Sequence, residues 1–150
     1  MRYIYTSKIG NILITADEKF ILTVSFTDEA VNFLEKNDVI NLAVSQLDEY
    51  FKGVRKTFNL PLNPNGTEFQ KRVWKELIKI PYGEIKNYKE IAKAIGNENS
   101  SRAVGNANNK NPIAIIIPCH RVIGTNKKLT GYAYGLDKKK KLLELEKVTN

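Results

Sequence analysis

The sequence has very little of the sulfur and imidazole chemistry that cross-links small proteins. Among 150 residues there is one cysteine, Cys119, and one histidine, His120. A single cysteine cannot form an internal disulfide, so the pattern of a disulfide-stabilised secreted domain is excluded. A zinc site built from several cysteines and histidines is also excluded, because the chain has too few of these ligands.

Long apolar runs are absent as well. No stretch approaches the roughly 18 apolar residues that indicate a transmembrane helix. The opening MRYIYTSKIGNILITADEKF carries charges early and lacks the apolar core of a signal peptide. Hydrophobic residues still make up 42% of the chain, which favours a packed core over disorder. We therefore expect a cytoplasmic protein that does not associate with a membrane.

Acidic residues are scarce relative to basic ones in the second part of the chain. Residues 1–60 carry 7 Lys and Arg against 8 Asp and Glu, whereas residues 61–150 carry 17 against 8. A positive excess confined to one part indicates a surface that faces a polyanion. The alternative is a basic surface that serves only solubility.

The local patterns predict an α/β chain of the α+β kind, in two domains. Three β-rich segments, RYIYTS, NILITA and FILTVSF, predict a small sheet, and two helical patterns follow, DEAVNFLEK and VINLAVSQLDEYFKG. Two prolines and a glycine in FNLPLNPNG then indicate a linker. We expect an N-terminal domain at 1–60, a linker at 61–66 and a C-terminal domain at 67–150.

The C-terminal domain is predicted to be mainly helical. Thr67 and Gln70 form a capping-box pattern at the start of TEFQKRVWKELIKI. Asn87 can cap a second helix at 88–95, and a short helix at 100–109 follows after a polar turn. Two short helices joined by a brief turn are typical of a helix-turn-helix.

The helix predicted at 100–109 has a composition suited to nucleic acid. Small residues allow it to approach another surface closely, and polar side chains can hydrogen-bond phosphates or bases. The small residues are Ala103, Gly105 and Ala107, and the polar residues are Arg102, Asn106, Asn108, Asn109 and Lys110. The alternative is a helical hairpin that binds nothing.

The segment IAIIIPCHRVIG contains both rare residues. Its apolar start at 113–117 predicts a buried strand, and Pro118 favours a turn before Cys119. A thiol becomes a strong nucleophile as the thiolate, and an imidazole such as that of His120 can take its proton directly or through water. Neighbouring side chains in a strand point to opposite faces, so a direct contact needs a turn. The alternatives are an inert buried thiol and a purely structural histidine.

The sequence NPIAIIIPCHRVIG strongly resembles the active-site signature of the O6-alkylguanine-DNA alkyltransferases, also called methylated-DNA–protein-cysteine methyltransferases. The segments FQKRVWKELIKIPYGEIKNYKEIA, SRAVGNA and GYAYGL resemble the same family in the same order, so the resemblance covers about residues 67–147. The first 60 residues resemble it only in general layout. For them the resemblance implies a ribonuclease-H-like α/β scaffold domain.

The resemblance implies direct-reversal DNA repair by a suicide enzyme. Cys119 would accept the alkyl group from O6 of alkylguanine, and also from O4 of alkylthymine, and would keep it as a thioether. The protein would be inactivated by this single irreversible turnover. The implied partner is double-stranded DNA containing O6-alkylguanine, bound by a monomer, and the transfer would need no cofactor and no metal.

The resemblance also implies catalytic roles for Cys119 and four further residues. His120 would act as a base through a water molecule, and Glu146 would orient His120. Asn111 would hold the active-site turn. Tyr88 would hydrogen-bond the guanine ring and help to protonate the leaving base, which quenches its developing charge.

A base inside a duplex must be flipped out for this chemistry, and the resemblance assigns residues to that step. The implied DNA-binding and base-binding residues are Ser101, Arg102, Ala103, Gly105, Asn108, Val122, Tyr132 and Ala133. Arg102 would fill the gap in the base stack, and its alternative is a phosphate contact. The helix at 100–109 would lie in the minor groove.

Within the implied base pocket, the backbone carbonyls of Cys119 and Val122 would read the guanine amino group. Tyr132 would form a wall, and the backbone N–H at Ala133 would face O6. Ala133 has no side-chain donor, unlike the serine or arginine of some relatives. Arg121 belongs to the motif, but an internal salt bridge is expected for it.

Three other functions fit parts of the sequence. A cysteine hydrolase would use Cys119 and His120 but would turn over many times. A damage sensor that resembles the alkyltransferase-like proteins would bind alkylated DNA without transfer, but those proteins have the nucleophile replaced, and Cys119 is present. A helix-turn-helix regulator would explain residues 87–110 and the charge, and it would leave PCHRV and Glu146 unexplained.

Overall fold

The computed structural model describes residues 1–29, 35–124 and 131–147. It divides into two compact units. The first comprises Met1–Asn65 together with Pro112–Ala114, and the second comprises Gly66–Asn111 together with the chain from Ile115 onward. The strands and helices of both units confirm the predicted α+β class. No helix in the described ranges is long and apolar enough to cross a membrane.

The first unit contains a three-stranded antiparallel sheet. Its strands are β1 (Arg2–Ser7), β2 (Gly10–Ala16) and β3 (Ile21–Phe26), in the spatial order β1-β2-β3. Every second residue of β2 is buried, from Ile12 through Ala16, which is the alternation expected of a sheet with one face in a core. The three predicted strands are confirmed.

One helix of the first unit packs against this sheet. It is α1 (Asp38–Phe51), with Asn37 as N-cap, and it buries apolar residues such as Leu47 and Tyr50. The second of the two predicted helices of this domain is therefore confirmed. The first was predicted over DEAVNFLEK, and its central residues, 30–34, lie outside the described residues.

The segment after Pro112 differs from the prediction. A buried strand was expected at 113–117, but only Ile113 forms a bridge, to Val24 of β3, and residues 114–116 form a turn. Ile115 has φ +70°, a left-handed conformation that costs a β-branched residue on the order of 1–3 kcal/mol. All five residues are nevertheless buried. The apolar run predicted the burial of this segment correctly. The predicted strand conformation was wrong, because a buried turn can have the same composition as a buried strand.

The second unit is mainly helical, as predicted. Its elements are α2 (Glu68–Ile78), β4 (Lys86–Asn87), α3 (Tyr88–Ala94), α4 (Ser101–Asn109), β5 (Val122–Ile123) and α5 (Leu136–Leu145). The predicted capping box of Thr67 with Gln70 opens α2, and the predicted cap Asn87 opens α3, where it forms a second capping box with Glu90. Strands β4 and β5 pair in parallel, which places the start of α3 beside the segment that follows Cys119.

Trp74 joins α2 to α4 in this unit. Its indole is 2% exposed, and Nε1 donates a 2.9 Å hydrogen bond to the carbonyl of Ala107. Gly66 lies directly against the ring, because a Cβ at this position would stand 2.4 Å from Cη2 of Trp74. The indole is buried and hydrogen-bonded, so it cannot move aside without losing contacts on its other face.

We therefore expect Gly66→Ala to lower the free energy of unfolding by about 1–3 kcal/mol, the usual cost of overpacking. Urea denaturation followed by Trp74 fluorescence measures this. Gly105→Ala is the matched control, since a Cβ there comes no closer than 3.8 Å to Tyr88 and replaces a glycine inside a helix. Equal stabilities of the two variants would contradict the steric argument.

Candidate active site

The two rare residues lie in a short 3-10 turn, Cys119–Arg121, of the second unit. The turn is closed by hydrogen bonds from the Cys119 N–H to the Ile117 carbonyl, 2.8 Å, and from the Arg121 N–H to the Pro118 carbonyl, 3.0 Å. The side-chain amide of Asn111 donates to the same Ile117 carbonyl at 2.8 Å. Asn111 is therefore in contact with the turn that the sequence analysis expected it to hold.

The thiol of Cys119 is held as a neutral group. Cys119 is only 4% exposed. Burial raises its pKa, although a hydrogen bond with Asn111 and the positive charge of Lys139 act in the opposite direction. The nucleophilic thiolate is therefore a minor species at neutral pH, and a nearby base would be needed to form it.

His120 and Glu146 form a fully buried pair, with Nε2 and Oε2 separated by 2.7 Å. Burial alone would raise the pKa of Glu146, but the hydrogen bonds and charges of His120 and Arg121 outweigh it and hold the pKa at about 2. Burial lowers the pKa of His120 below its ordinary value, despite the hydrogen bond to Glu146. At neutral pH the pair is thus a carboxylate with a neutral imidazole.

These protonation states determine the tautomer of His120. An ionised carboxylate only accepts hydrogen bonds, so the imidazole proton is assigned to Nε2, and Nδ1 carries a lone pair. Nδ1 is buried and has no hydrogen-bond partner among the described residues. The structure therefore supplies a buried, unengaged basic nitrogen on the residue next to the thiol.

Arg121 completes the buried cluster. Its Nε and Nη2 donate to the two carboxylate oxygens of Glu146 at 2.7 and 3.1 Å, and its Nη1 donates to the Ile80 carbonyl at 2.7 Å. The guanidinium also lies 5.8 Å from the ring centre of Tyr82. The internal salt bridge expected for Arg121 is confirmed, and this bidentate pair fixes the carboxylate that contacts His120.

Lys139 is a site residue that its sequence context did not indicate. It is fully buried, and its Nζ donates to the carbonyls of Val122, at 2.6 Å, and Gly131, at 3.2 Å. Burial lowers its pKa to about 8, partly offset by interaction with Cys119. Lys139 lies three residues before Leu142, on the buried face of α5. That helical phase was the available signal, and the exposed lysines around Lys139 obscured it.

Tyr132 and Ala133, which were expected to line the base pocket, differ in exposure. Tyr132 is 8% exposed and packs edge-on against Tyr134, whereas Ala133 is exposed. The Tyr132 hydroxyl makes no hydrogen bond of normal geometry to the described residues. Burial, and then the proximity of Cys119, raise its pKa well above the ordinary value. Tyr132 is thus a neutral phenol next to the thiol.

Helix α4 has an outer and an inner face. Its exposed residues are Arg102, Ala103, Asn106 and Asn109, while Ser101 and Gly105 are half-buried and Val104, Ala107 and Asn108 are buried. Tyr88, the first residue of α3, is half-buried, and its ring lies beside Gly105. The outer face presents Arg102, Ala103 and two of the asparagines expected to contact nucleic acid, whereas Ala107, one of the small residues expected there, faces the interior.

Asn108 is the exception among the residues assigned to DNA contact. It does not belong to the outer face, because it is 1% exposed and its Nδ2 donates to the Cys119 carbonyl at 3.3 Å. Helical spacing explains the difference: Asn108 follows Val104 by four residues and shares its buried face, whereas composition alone grouped it with Asn106 and Asn109.

The described ranges contain no group of three or more His, Cys, Asp or Glu residues that could hold a metal ion. At the site itself, the thiol of Cys119 is accompanied by the imidazole of His120 and the carboxylate of Glu146. Such groups can activate a thiol and stabilise a leaving group.

Comparison with known proteins agrees with the sequence motif and the geometry. The chain matches the DNA binding domain of 6-O-methylguanine DNA methyltransferase over residues 68–148 and its ribonuclease-like domain over residues 1–64. A methylated-DNA–protein-cysteine methyltransferase from Methanosarcina acetivorans is 53% identical over 149 residues, which cover 95% of this chain and 96% of that protein. One from Mycobacterium leprae is 47% identical over 146 residues, which cover 94% of this chain and 88% of that protein.

Solved structures give the same result. A Mycobacterium tuberculosis OGT crystallised in complex with DNA superposes with a TM-score of 0.90 at 43% identity, covering 97% of this chain and 92% of that one. The Mycobacterium tuberculosis O6-methylguanine methyltransferase superposes with a TM-score of 0.89 at 42% identity and the same coverage. The family resemblance inferred from PCHRV is thereby confirmed, and the chain belongs to the 6-O-methylguanine DNA methyltransferase family, as a DNA-binding methyltransferase of DNA repair.

Proposed function

We propose that this protein repairs DNA by moving the alkyl group of O6-alkylguanine onto Sγ of Cys119. In this step the Sγ–carbon bond forms as the O6–carbon bond breaks, and the electron pair of the broken bond remains on the guanine. The observation that carries the proposal is the buried, unpartnered Nδ1 of His120, the residue after Cys119, on a ring whose Nε2 is bound by the carboxylate of Glu146.

The proton of the thiol follows a defined route in this mechanism. It passes to Nδ1 of His120, through a water molecule, because the raised pKa of Cys119 keeps the resting group protonated. The imidazolium that forms is stabilised by Glu146, whose charge Arg121 holds in place. Glu146 is a positioning residue in this scheme and stays ionised throughout.

The leaving guanine needs a proton as it gains negative charge. We assign this donation to the hydroxyl of Tyr88, at the start of α3 and beside Gly105 of α4. The parallel pairing of β4 with β5 supports the assignment, because it places the residue before Tyr88 alongside Ile123, close to the alkyl-acceptor turn. Removing charge from the leaving group lowers the barrier to carbon–oxygen cleavage.

Contacts to the base would come from the backbone around the thiol. The carbonyls of Cys119 and Val122 would accept from the guanine amino group, and the N–H of Ala133 would donate to O6. Tyr132 would wall the pocket, which its burial beside Cys119 supports. Asn111 keeps the turn in shape through the Ile117 carbonyl.

Access to a thiol that is 4% exposed requires the damaged base to leave the duplex. The outer face of α4 would lie in the minor groove of the DNA. Ala103 and Gly105 would allow the helix to come close to the DNA, and Ser101 would contact the phosphate backbone. Arg102 is exposed on this face and would take the place of the flipped base in the stack. A monomer would be sufficient, because every residue proposed to act on the base or the thiol lies in the second unit of one chain.

The product limits the protein to a single turnover. A thioether carbon is not displaced at neutral pH, so each chain would repair one lesion and be spent, without a cofactor or a metal. O4-alkylthymine offers the same exocyclic alkyl-oxygen bond and would be a second substrate. Residues 1–60 would serve as a scaffold domain.

The deciding experiment is the mass of the intact protein after incubation with an excess of duplex DNA containing O6-methylguanine. We expect one added methyl group on the native chain and none on the Cys119→Ala variant. An unchanged mass with tight binding to the damaged duplex would instead favour a damage sensor. Release of unmethylated protein after many turnovers would favour a hydrolase.

A further inference from the structure

Asn108 has one engaged and one unengaged polar atom in the interior of the second unit. Its Nδ2 donates to the Cys119 carbonyl at 3.3 Å. Its Oδ1 is buried and has no hydrogen-bond partner among the described residues. The orientation of the amide follows from the donor contact, because the flipped amide would set two carbonyl oxygens against each other.

A buried acceptor without a donor is unfavourable in the resting protein. Most buried polar atoms in folded proteins are hydrogen-bonded, and an exception calls for a specific explanation, of which a functional role is one. Oδ1 belongs to the same planar amide as the atom that contacts Cys119. A base that hydrogen-bonds the Cys119 carbonyl would therefore meet this second acceptor within the width of one amide group.

The chemistry of alkylated guanine identifies the donor that could satisfy Oδ1. Alkylation at O6 removes the N1 proton, so the 2-amino group is the one remaining donor on the Watson–Crick edge, with two hydrogens. The Cys119 carbonyl can accept one of them. The Val122 carbonyl already accepts from Lys139 at 2.6 Å and the Cys119 carbonyl from Asn108 at 3.3 Å, so each has one lone pair left for the base. Oδ1 of Asn108 accepts from none of the described residues and is a further acceptor at the site.

We propose that Asn108 is a specificity-determining residue whose Oδ1 accepts a hydrogen bond from the 2-amino group of the flipped guanine. This inference rests on the proposed alkyl transfer to Cys119. It assigns Asn108 two functions: Nδ2 positions the Cys119 carbonyl from α4, and Oδ1 favours a purine that carries an amino group. A site built to bond a polar group discriminates against an analogue that lacks it.

The test compares two duplexes that differ only in the 2-amino group, one with O6-methylguanine and one with O6-methylhypoxanthine. Single-turnover methyl transfer is measured for the native chain, for Asn108→Leu, which keeps side-chain size, and for Asn108→Ala. We expect the native chain to react faster with O6-methylguanine than with O6-methylhypoxanthine. The ratio of the two rates should fall roughly tenfold in both variants, because a tenfold change corresponds to about one hydrogen bond.

Asn109→Leu is the matched control, because this neighbour is exposed on the outer face of α4. The ratio of its transfer rates for the two duplexes should equal that of the native chain, even if the substitution changes its affinity for DNA. A native ratio in both Asn108 variants would overturn the inference and leave the proposed function standing. No transfer from either duplex to the native chain would overturn the proposed function itself.

Discussion

Replacing Glu146 with Gln is expected to slow methyl transfer by roughly 10²–10⁴-fold. The carboxylate accepts a hydrogen bond from the Nε2–H of His120 and thereby leaves Nδ1 as a base. A Gln side chain can instead donate to Nε2, and the imidazole proton would then occupy Nδ1, where it blocks acceptance of the thiol proton. The single-turnover rate at a temperature where the variant is folded measures the effect.

The same substitution is expected to lower the free energy of unfolding by about 3–5 kcal/mol. Arg121 would stay buried and charged after losing both carboxylate contacts, and one remaining amide oxygen cannot replace them. Urea denaturation measures this loss. The matched control is Glu144→Gln, an exposed carboxylate on the same helix, and it should change neither rate nor stability. A native rate in folded Glu146→Gln would mean that the carboxylate serves the fold alone.

The low pKa of Glu146 gives this prediction a pH signature. Its pKa is about 2 in the folded protein against 4.5 in the unfolded chain. The unfolded state therefore binds the proton first, so the stabilisation is complete above pH 4.5 and is lost as pH falls toward 2. His120 adds to the loss from about pH 6.5 downward, because its folded pKa is lowered from 6.5. Stability measured against pH should decline less steeply below pH 4.5 in Glu146→Gln.

Replacing Lys139 with Met is expected to slow methyl transfer at neutral pH by roughly tenfold. The positive charge of Lys139 favours the thiolate of Cys119, and its Nζ holds the carbonyls of Val122 and Gly131. Methionine fills a similar volume without the charge or the donors. The rate should recover as pH is raised, since the thiol of the variant titrates at higher pH. Lys140→Met, at the exposed neighbouring position, is the control and should behave like the native chain.

Lys139 also predicts how stability changes in alkaline solution. Its pKa is about 8 in the folded protein and 10.5 in the unfolded chain. Between these values the unfolded state binds more protons, so the native chain should gain stability relative to Lys139→Met as pH rises from 8 to 10.5, by up to about 3 kcal/mol. Taking the difference between the two proteins reduces the contribution of Tyr132, whose pKa is raised. Cys119 adds to the difference, because loss of the Lys139 charge raises the pKa of its thiol further in the variant. If the free energies of unfolding of the two proteins changed in parallel with pH, the pKa of Lys139 would not be lowered in the folded protein.

The sequence by itself determined the features that depend on neighbouring residues. The strands of the first unit follow from alternation of apolar residues, and the starts of α2 and α3 follow from capping boxes that close within four residues. The family of the protein followed from the PCHRV motif, because the residues of this motif are contiguous. Local spacing carries all of this information.

Tertiary structure alone decided which side chains meet. Glu146 reaches His120 and Arg121 across 26 and 25 residues, and no local pattern specifies a contact of that separation. Asn108 and Lys139 look like solvent-facing polar residues in composition, and only the packing of α4 and α5 turns them toward the Cys119 turn. At 113–117 burial of five apolar side chains outweighed the strand preference of β-branched residues, and the backbone turned at Ile115.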